Sequence, residues 1–338
     1  MAIQILVGTF LAILSVDVVL RIVYGRKALA MLDSMPPFNV VKVLPQKQAT
    51  LFETVTDDGV TLRGSIYHSE GEVPQGVIIF CPETLSNHWS AVRYCQGLMD
   101  AGYIIVSFDF RNQGESDHYK RYEPLHWVSE FEVKDLHTIV NWVKDQESFV
   151  DLPLGVLGVS RGGATALMAA RNHPDIDYVC ADSGYTNYLL VMHYVHRWVR
   201  LIVPEWIIQV RRTMWHATST VEIAFFIQQF RKGCRYLNSS EPFTKMKNKH
   251  VMLIAGKNDS YVPVTIAQRI QEMLGKQCET LWIVPRVAHN GARSKYPEEY
   301  DQMLVTFFSQ MPTLDPVTQP AISVASTASE NAESLISN

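Results

Sequence analysis

Gly158, Ser160 and Gly162 form a G-x-S-x-G pattern inside the run Gly155-Val-Leu-Gly-Val-Ser-Arg-Gly-Gly163. The apolar run LGVLGV leads into it and ATALMAARNH follows at once. That is strand, sharp turn and helix, with a serine at the apex. Small residues on both sides tolerate the crowding of such a turn. The turn lifts the hydroxyl clear of the sheet, beside the N-terminus of the next helix. Unpaired N–H groups and a positive dipole there suit a developing oxyanion. Ser160 is therefore the candidate nucleophile.

A serine needs a base to take its proton and a third group to orient that base. The expected chain order is Ser, acid, His. His289, in PRVAHNG, follows the strand-like ETLWIVP and is the candidate base. Two acids compete. Asp259, in GKNDSYVP, lies just past HVMLIAG, and Asp182 ends YVCADS as the reserve acid. All three positions fall at strand C-terminal ends, where open α/β sheets place their sites. A surface histidine and an Asx-type turn are the plainer explanations of His289 and Asp259.

These positions need a scaffold. VIIFC (77–81), IIVSFDF (104–110), LGVLGV, YVCADS (178–183), HVMLIAG (250–256) and ETLWIVP (279–285) read as strands. Continuous apolar runs of this kind suit strands buried on both faces. Helical spacing runs over 126–147, after Ser160, over 263–274 and over 297–310. Residues 51–68 suit an opening hairpin around Asp57-Asp58-Gly59. The alternation predicts a mostly parallel sheet with helices on both faces, over residues 45–311.

Residues 184–243 break the rhythm. They are helical in pattern and carry Tyr185, Tyr188, Tyr194, Trp198, Trp206, Trp215, Phe225, Phe226 and Phe230, with Arg197, Arg200, Arg211 and Arg212 interspersed. Three explanations fit: ordinary amphipathic helices, a cap shaping an apolar pocket, or a face that contacts a membrane. The position in the fold favours a cap.

Residues 3–24 form an apolar stretch long enough for a bilayer span of about 20 residues. Asp17 and Arg21 interrupt it, four apart, so that they can pair on a helix. The basic residues Arg21, Arg26 and Lys27 follow the apolar run, and none precedes it. A cleavable signal has the reverse order. Residues 1–28 are thus expected to anchor the chain in a membrane with the larger domain cytoplasmic. An interfacial helix and a signal peptide are the alternatives. Residues 312–338, rich in Ser, Ala, Thr and Pro, read as a disordered tail.

A net charge of −4 without a basic block argues against a nucleic-acid partner. The five cysteines are scattered, and no Cys/His cluster suggests zinc. No metal or organic cofactor is called for.

Four pieces together resemble the α/β-hydrolase superfamily of serine hydrolases. They are the elbow Gly158–Gly162, the turn Gly256-Lys-Asn-Asp259 followed by Val262-Pro263, the segment Ala288-His289, and Phe108-Asp-Phe-Arg-Asn-Gln-Gly-Glu-Ser116. The last resembles the family's D-x-R-G-x-G-x-S stretch, which is structural there. The resemblance spans about residues 50–310, with Val262-Pro263 and the cap most similar to the serine aminopeptidase, monoacylglycerol lipase and esterase branch. It implies an α/β-hydrolase fold with a helical cap. It also implies a hydrolase acting on a small acyl substrate, an ester in the first place, through an acyl-enzyme. Acyl transfer, amide or peptide cleavage with the same residues, and a non-catalytic scaffold are the alternatives. The family usually follows its third strand with His-Gly. Here Cys81-Pro82-Glu83-Thr84 stands instead. The resemblance implies two oxyanion donors, the N–H groups of Arg161 and Glu83, with the Glu83 carboxylate turned away or bound to a cation.

Overall fold

The computed structural model describes residues 1–36, 41, 43–69, 73–202, 204–208, 211–237, 243, 246 and 248–312. Of the segment 312–338, expected as a disordered tail, all but Pro312 lies outside the described residues.

Helix α1 (Ala2–Asp33) leads the chain. The strands β1 (Thr50–Val55), β2 (Thr61–Tyr67) and β3 (Val77–Cys81) come next. After a 3₁₀ turn (His88–Arg93) and α2 (Gln96–Asp100), the alternation begins. It runs β4 (Ile104–Phe108), α3 (Glu130–Asp145), β5 (Leu154–Val159), α4 (Arg161–Ala170) and β6 (Tyr178–Asp182). Three helices interrupt it: α5 (Asn187–Ile202), α6 (Glu205–Ile208) and α7 (Arg211–Lys232). The chain then forms β7 (His250–Gly256), α8 (Val264–Leu274), β8 (Cys278–Val284), α9 (Ala292–Lys295) and α10 (Pro297–Phe308).

The eight strands form one sheet in the order β1-β2-β4-β3-β5-β6-β7-β8. β1–β2 and β2–β4 pair antiparallel, and every other pair is parallel. This is the α/β-hydrolase fold. The apolar runs follow from burial on both faces. Val77, Ile79 and Cys81 point into one core with α3, α4 and α8. Ile78 and Phe80 point into the other with α2 and α10. Alternate residues of one strand thus serve two cores, so no polar alternation survives.

The helical pattern over 126–147 begins late. Ser129 caps α3, and its backbone N–H donates to Glu132, closing a capping box. That box satisfies orphan N–H groups at the helix start. It leaves His126 and Trp127 in the loop before the helix.

The serine turn is tight. Ser160 has φ 54° and ψ −115°, and its N–H donates to the carbonyl of Asp182 at 2.8 Å. A Cβ on Gly162 would strike the carbonyl of Cys81 at the end of β3, and one on Gly158 would strike the backbone of Gly162. Both obstacles are backbone and cannot swing aside. Gly162→Ala is expected to cost about 1–3 kcal/mol of stability by overpacking. It should also cost about 10²-fold in turnover by pushing the turn off β3. Urea melts and steady-state rates check both.

Helix α1 is tied to α7 along its second half. Arg21 pairs with Asp17 at 2.8 Å and donates to the hydroxyls of Ser219 at 2.9 Å and Thr220 at 3.3 Å. Asp17 also meets His216 at 2.9 Å. Further along, Asp33 accepts from Gln228 at 3.2 Å and Arg231 at 3.0 Å. Residue numbers rise together on both helices, so they run parallel.

Candidate active site

Each site residue is delivered by a strand end. The turn after β5 carries Ser160, the turn after β7 carries Asp259, and the loop after β8 carries His289. Ser160 Oγ lies 2.8 Å from His289 Nε2, and His289 Nδ1 lies 2.7 Å from Asp259 Oδ2. A carboxylate can only accept, so Nδ1 carries the proton and Nε2 presents its lone pair to the serine hydroxyl. The other oxygen of Asp259 accepts the N–H groups of Tyr261 and Val262, each at 2.8 Å. The Asx turn and the histidine contact therefore coexist, one oxygen for each. The Tyr261 ring stands edge-on to His289 at 5.0 Å and 77°.

Asp182, the reserve acid, is not brought against the His289 ring nitrogens. It is fully buried at the end of β6, where Ser183 and Tyr300 donate to it at 3.0 and 3.1 Å. Burial pushes its carboxyl up to about 6. Its place is structural, beneath the serine turn.

The loop after β3 takes its shape from below. Asp109 is fully buried and accepts the N–H of His88 at 2.6 Å and of Glu115 at 2.7 Å. His88 Nδ1 lies 2.9 Å from Ser65 Oγ, and Asn87 accepts the N–H of Trp89 at 3.2 Å. Asn87 and His88 thus satisfy the loop itself. The Glu83 carboxylate takes Arg93 at 3.0 Å, Ser90 at 3.2 Å and the Tyr94 hydroxyl at 3.4 Å. Its charge is matched by a guanidinium. Among the described residues, neither the Glu83 nor the Arg161 N–H donates within the protein. The Arg161 N–H opens α4, where a first-turn helix N–H has no intrahelical acceptor, and the Glu83 N–H lies in the loop after β3. The Arg161 side chain points elsewhere, buried against Leu125 O at 2.8 Å and Glu132 at 3.6 Å.

Ser160 and His289 open into a cavity of about 720 Å³. Its walls include Trp127, Tyr194, Trp198 and Tyr261, with Met31, Ser34 and Met35 from the end of α1 and the residues after it. Of the cap aromatics singled out in the sequence, Tyr194 and Trp198 face this cavity. Tyr185 and Phe225 are core, and Trp206, Trp215, Phe226 and Phe230 are exposed. His126 also lines the cavity, held neutral with its pKa down at about 3 by burial and the nearby Arg161 charge. No motif marked His126, Met31 or Met35. The one trace of Met31 and Met35 in the sequence is an apolar helix that continues past residue 24, and His126 begins the helical pattern read over 126–147.

The fold and this geometry define an α/β-hydrolase, and the comparisons agree. Residues 46–296 match the model of the X-Pro dipeptidyl-peptidase (S15) family, and the chain belongs to that family. It is a hydrolase of the α/β fold. Among curated proteins it is similar to YqkD of Bacillus subtilis, itself uncharacterized, at 24% identity over 81% of this chain and 83% of the relative. Among solved structures it is similar to the Pyrococcus furiosus esterase Pf2001, with a TM-score of 0.59 and 23% identity over 82% of this chain and 98% of that one. The α/β hydrolase GrgF from Penicillium sp. sh18 gives 0.57 and 17%, over 79% and 99%.

Proposed function

We propose that the protein is a serine hydrolase that cleaves an apolar carboxylic ester through an acyl-enzyme. The observation that carries this is the relay from Ser160 through His289 to Asp259, at 2.8 and 2.7 Å. Ser160 Oγ attacks the acyl carbonyl while His289 Nε2 takes its proton. The N–H groups of Glu83 and Arg161 hold the oxyanion, the larger part of such catalysis. Collapse expels the alcohol, protonated by His289. Water, activated by the same imidazole, then releases the acid. Asp259 holds the tautomer and stabilises the imidazolium.

The family favours a second reading, release of an N-terminal X-Pro dipeptide. Such a substrate presents an ammonium group, which needs an unpaired anion nearby. Among the described residues, the acids beside this cavity are engaged, Glu83 with Arg93 and Asp259 with His289. The aromatic walls suit an acyl chain better. Comparing p-nitrophenyl acyl esters with X-Pro p-nitroanilides tests this. The expected kcat/KM ratio favours esters by about 10²-fold or more. A preference for the anilides would replace the ester by the peptide.

We further propose that α1 attaches the protein to a membrane, with the hydrolase domain on the cytoplasmic side. The helix is long and apolar, with a mean hydropathy of 2.3 over its most apolar window and none of that window buried. Arg26 and Lys27 follow the stretch, as the positive-inside rule asks.

A further inference from the structure

Among the described residues the outward face of α7 is largely uncovered, and Trp215 at its start lies under the Arg21 guanidinium of α1 at 5.3 Å. Trp215, Ile223, Phe226, Ile227 and Phe230 recur at helical spacing and are exposed, Phe226 at 70% and Phe230 at 87%. Trp206 on α6 is 72% exposed. Single exposed apolar residues are ordinary, but a contiguous patch of large ones marks a contact surface. This face lies next to the side of α7 that holds α1. The parallel clasp from Asp17–Arg21–His216 to Asp33–Arg231 makes the two helices one unit. The exposed apolar residues Val18, Val19, Ile22 and Val23 of α1 run alongside the start of this row, level with Trp215 to about Ile223. The charges that interrupt α1 point at α7, not outward. Intramembrane charges are sheltered in that way, facing a neighbouring helix and pairing there.

We propose that the cap is seated on the bilayer together with α1, the exposed row of α7 lying among lipid acyl chains near the headgroups. This rests on the reading of α1 as a membrane segment. It says where the substrate comes from. The end of α1 and the residues after it supply Met31, Ser34 and Met35 to the cavity wall, and the Trp127 indole donates to the carbonyl of Leu32 at 3.2 Å. A cavity bordered by the anchor opens beside the leaflet. The substrate class is thus an ester of a long acyl chain, drawn from the membrane.

The test uses the full-length chain with phosphatidylcholine/phosphatidylglycerol vesicles. Trp215→Cys, Phe226→Cys and Phe230→Cys each carry an environment-sensitive NBD label, with Lys276→Cys as a control outside the cap. The parent protein sets the background from its own cysteines. Vesicles should blue-shift the label at 215, 226 and 230, protect it from iodide, and leave 276 unchanged. Protein that floats with vesicles while all four labels stay water-like would keep the anchor and overturn the seated cap. Protein that does not float at all would overturn the membrane reading of α1 and this proposal with it. A shift without vesicles that grows with protein concentration would assign the face to a second copy instead. In a second arm, Phe226→Glu with Phe230→Glu should lower turnover of a vesicle-resident acyl ester at least tenfold while sparing a short water-soluble ester. Equal rates on both substrates would contradict the proposal.

Discussion

Ser160→Ala should lower kcat by about 10⁶-fold, to the level set by binding and the oxyanion donors alone. In the proposed mechanism this hydroxyl forms the acyl bond, and it lies 2.8 Å from the His289 imidazole that would take its proton. Removing it leaves the turn standing. The φ of 54° is held by the Ser160 N–H to Asp182 and by close packing of Gly162 on β3, neither of which uses the hydroxyl. The stability change should stay within about 0.5–1.5 kcal/mol, the worth of one hydrogen bond. Rates with an activated ester and a thermal melt give both numbers. A variant that retains one part in a hundred of the activity or more would remove Ser160 from the mechanism.

Asp259→Asn should cost about 10⁴-fold in kcat. The carboxylate holds the proton on Nδ1 by accepting from it at 2.7 Å. An amide at 259 can turn its NH₂ toward the ring instead. Nδ1 then accepts, Nε2 carries the proton, and no lone pair faces Ser160. Asp182→Asn is the control and should stay within about tenfold of the parent, because its partners are Ser183 and Tyr300. Asp182→Asn also changes the pH dependence of stability. The Asp182 carboxyl is raised to about 6 in the fold, against an ordinary value near 3.9. Between those values the folded state binds more proton than the unfolded state, so this group removes stability as pH rises. Asp182→Asn should therefore gain in stability relative to the parent from pH 4 to pH 7. Denaturant titrations at both pH values check the sign.

The parts of the site that could be read in the sequence are those fixed by short-range chemistry. A strand, a glycine-flanked serine and a helix define the nucleophile turn within a dozen residues, so Ser160 stood out. Asp259 and His289 stood out because each directly follows an apolar strand. The sequence left Asp182 in competition with Asp259, since both end strands. The 2.7 Å contact of Asp259 with His289 and the packing of Tyr300 from α10 onto Asp182 separate them. The fold was legible for a similar reason: strands buried on both faces write continuous apolar runs. The cavity wall was not. Trp127 sits just outside α3 because of a capping box hidden inside a helical pattern. Its bond to Leu32 joins segments 95 residues apart, and no local spacing records that. The pairing of Asp17 with Arg21 followed from their i,i+4 separation. Their partners Ser219, Thr220 and His216 needed the parallel packing of α1 on α7.

Labelling of the full-length protein with a fluorophosphonate probe tests the central claim most directly. The probe phosphonylates a serine only where a base activates it and donors hold the phosphoryl oxygen. Covalent labelling at Ser160, lost in Ser160→Ala and strongly reduced in Asp259→Asn, is the predicted result. A folded parent protein that stays unlabelled, or that is labelled equally well in Ser160→Ala, would contradict the account.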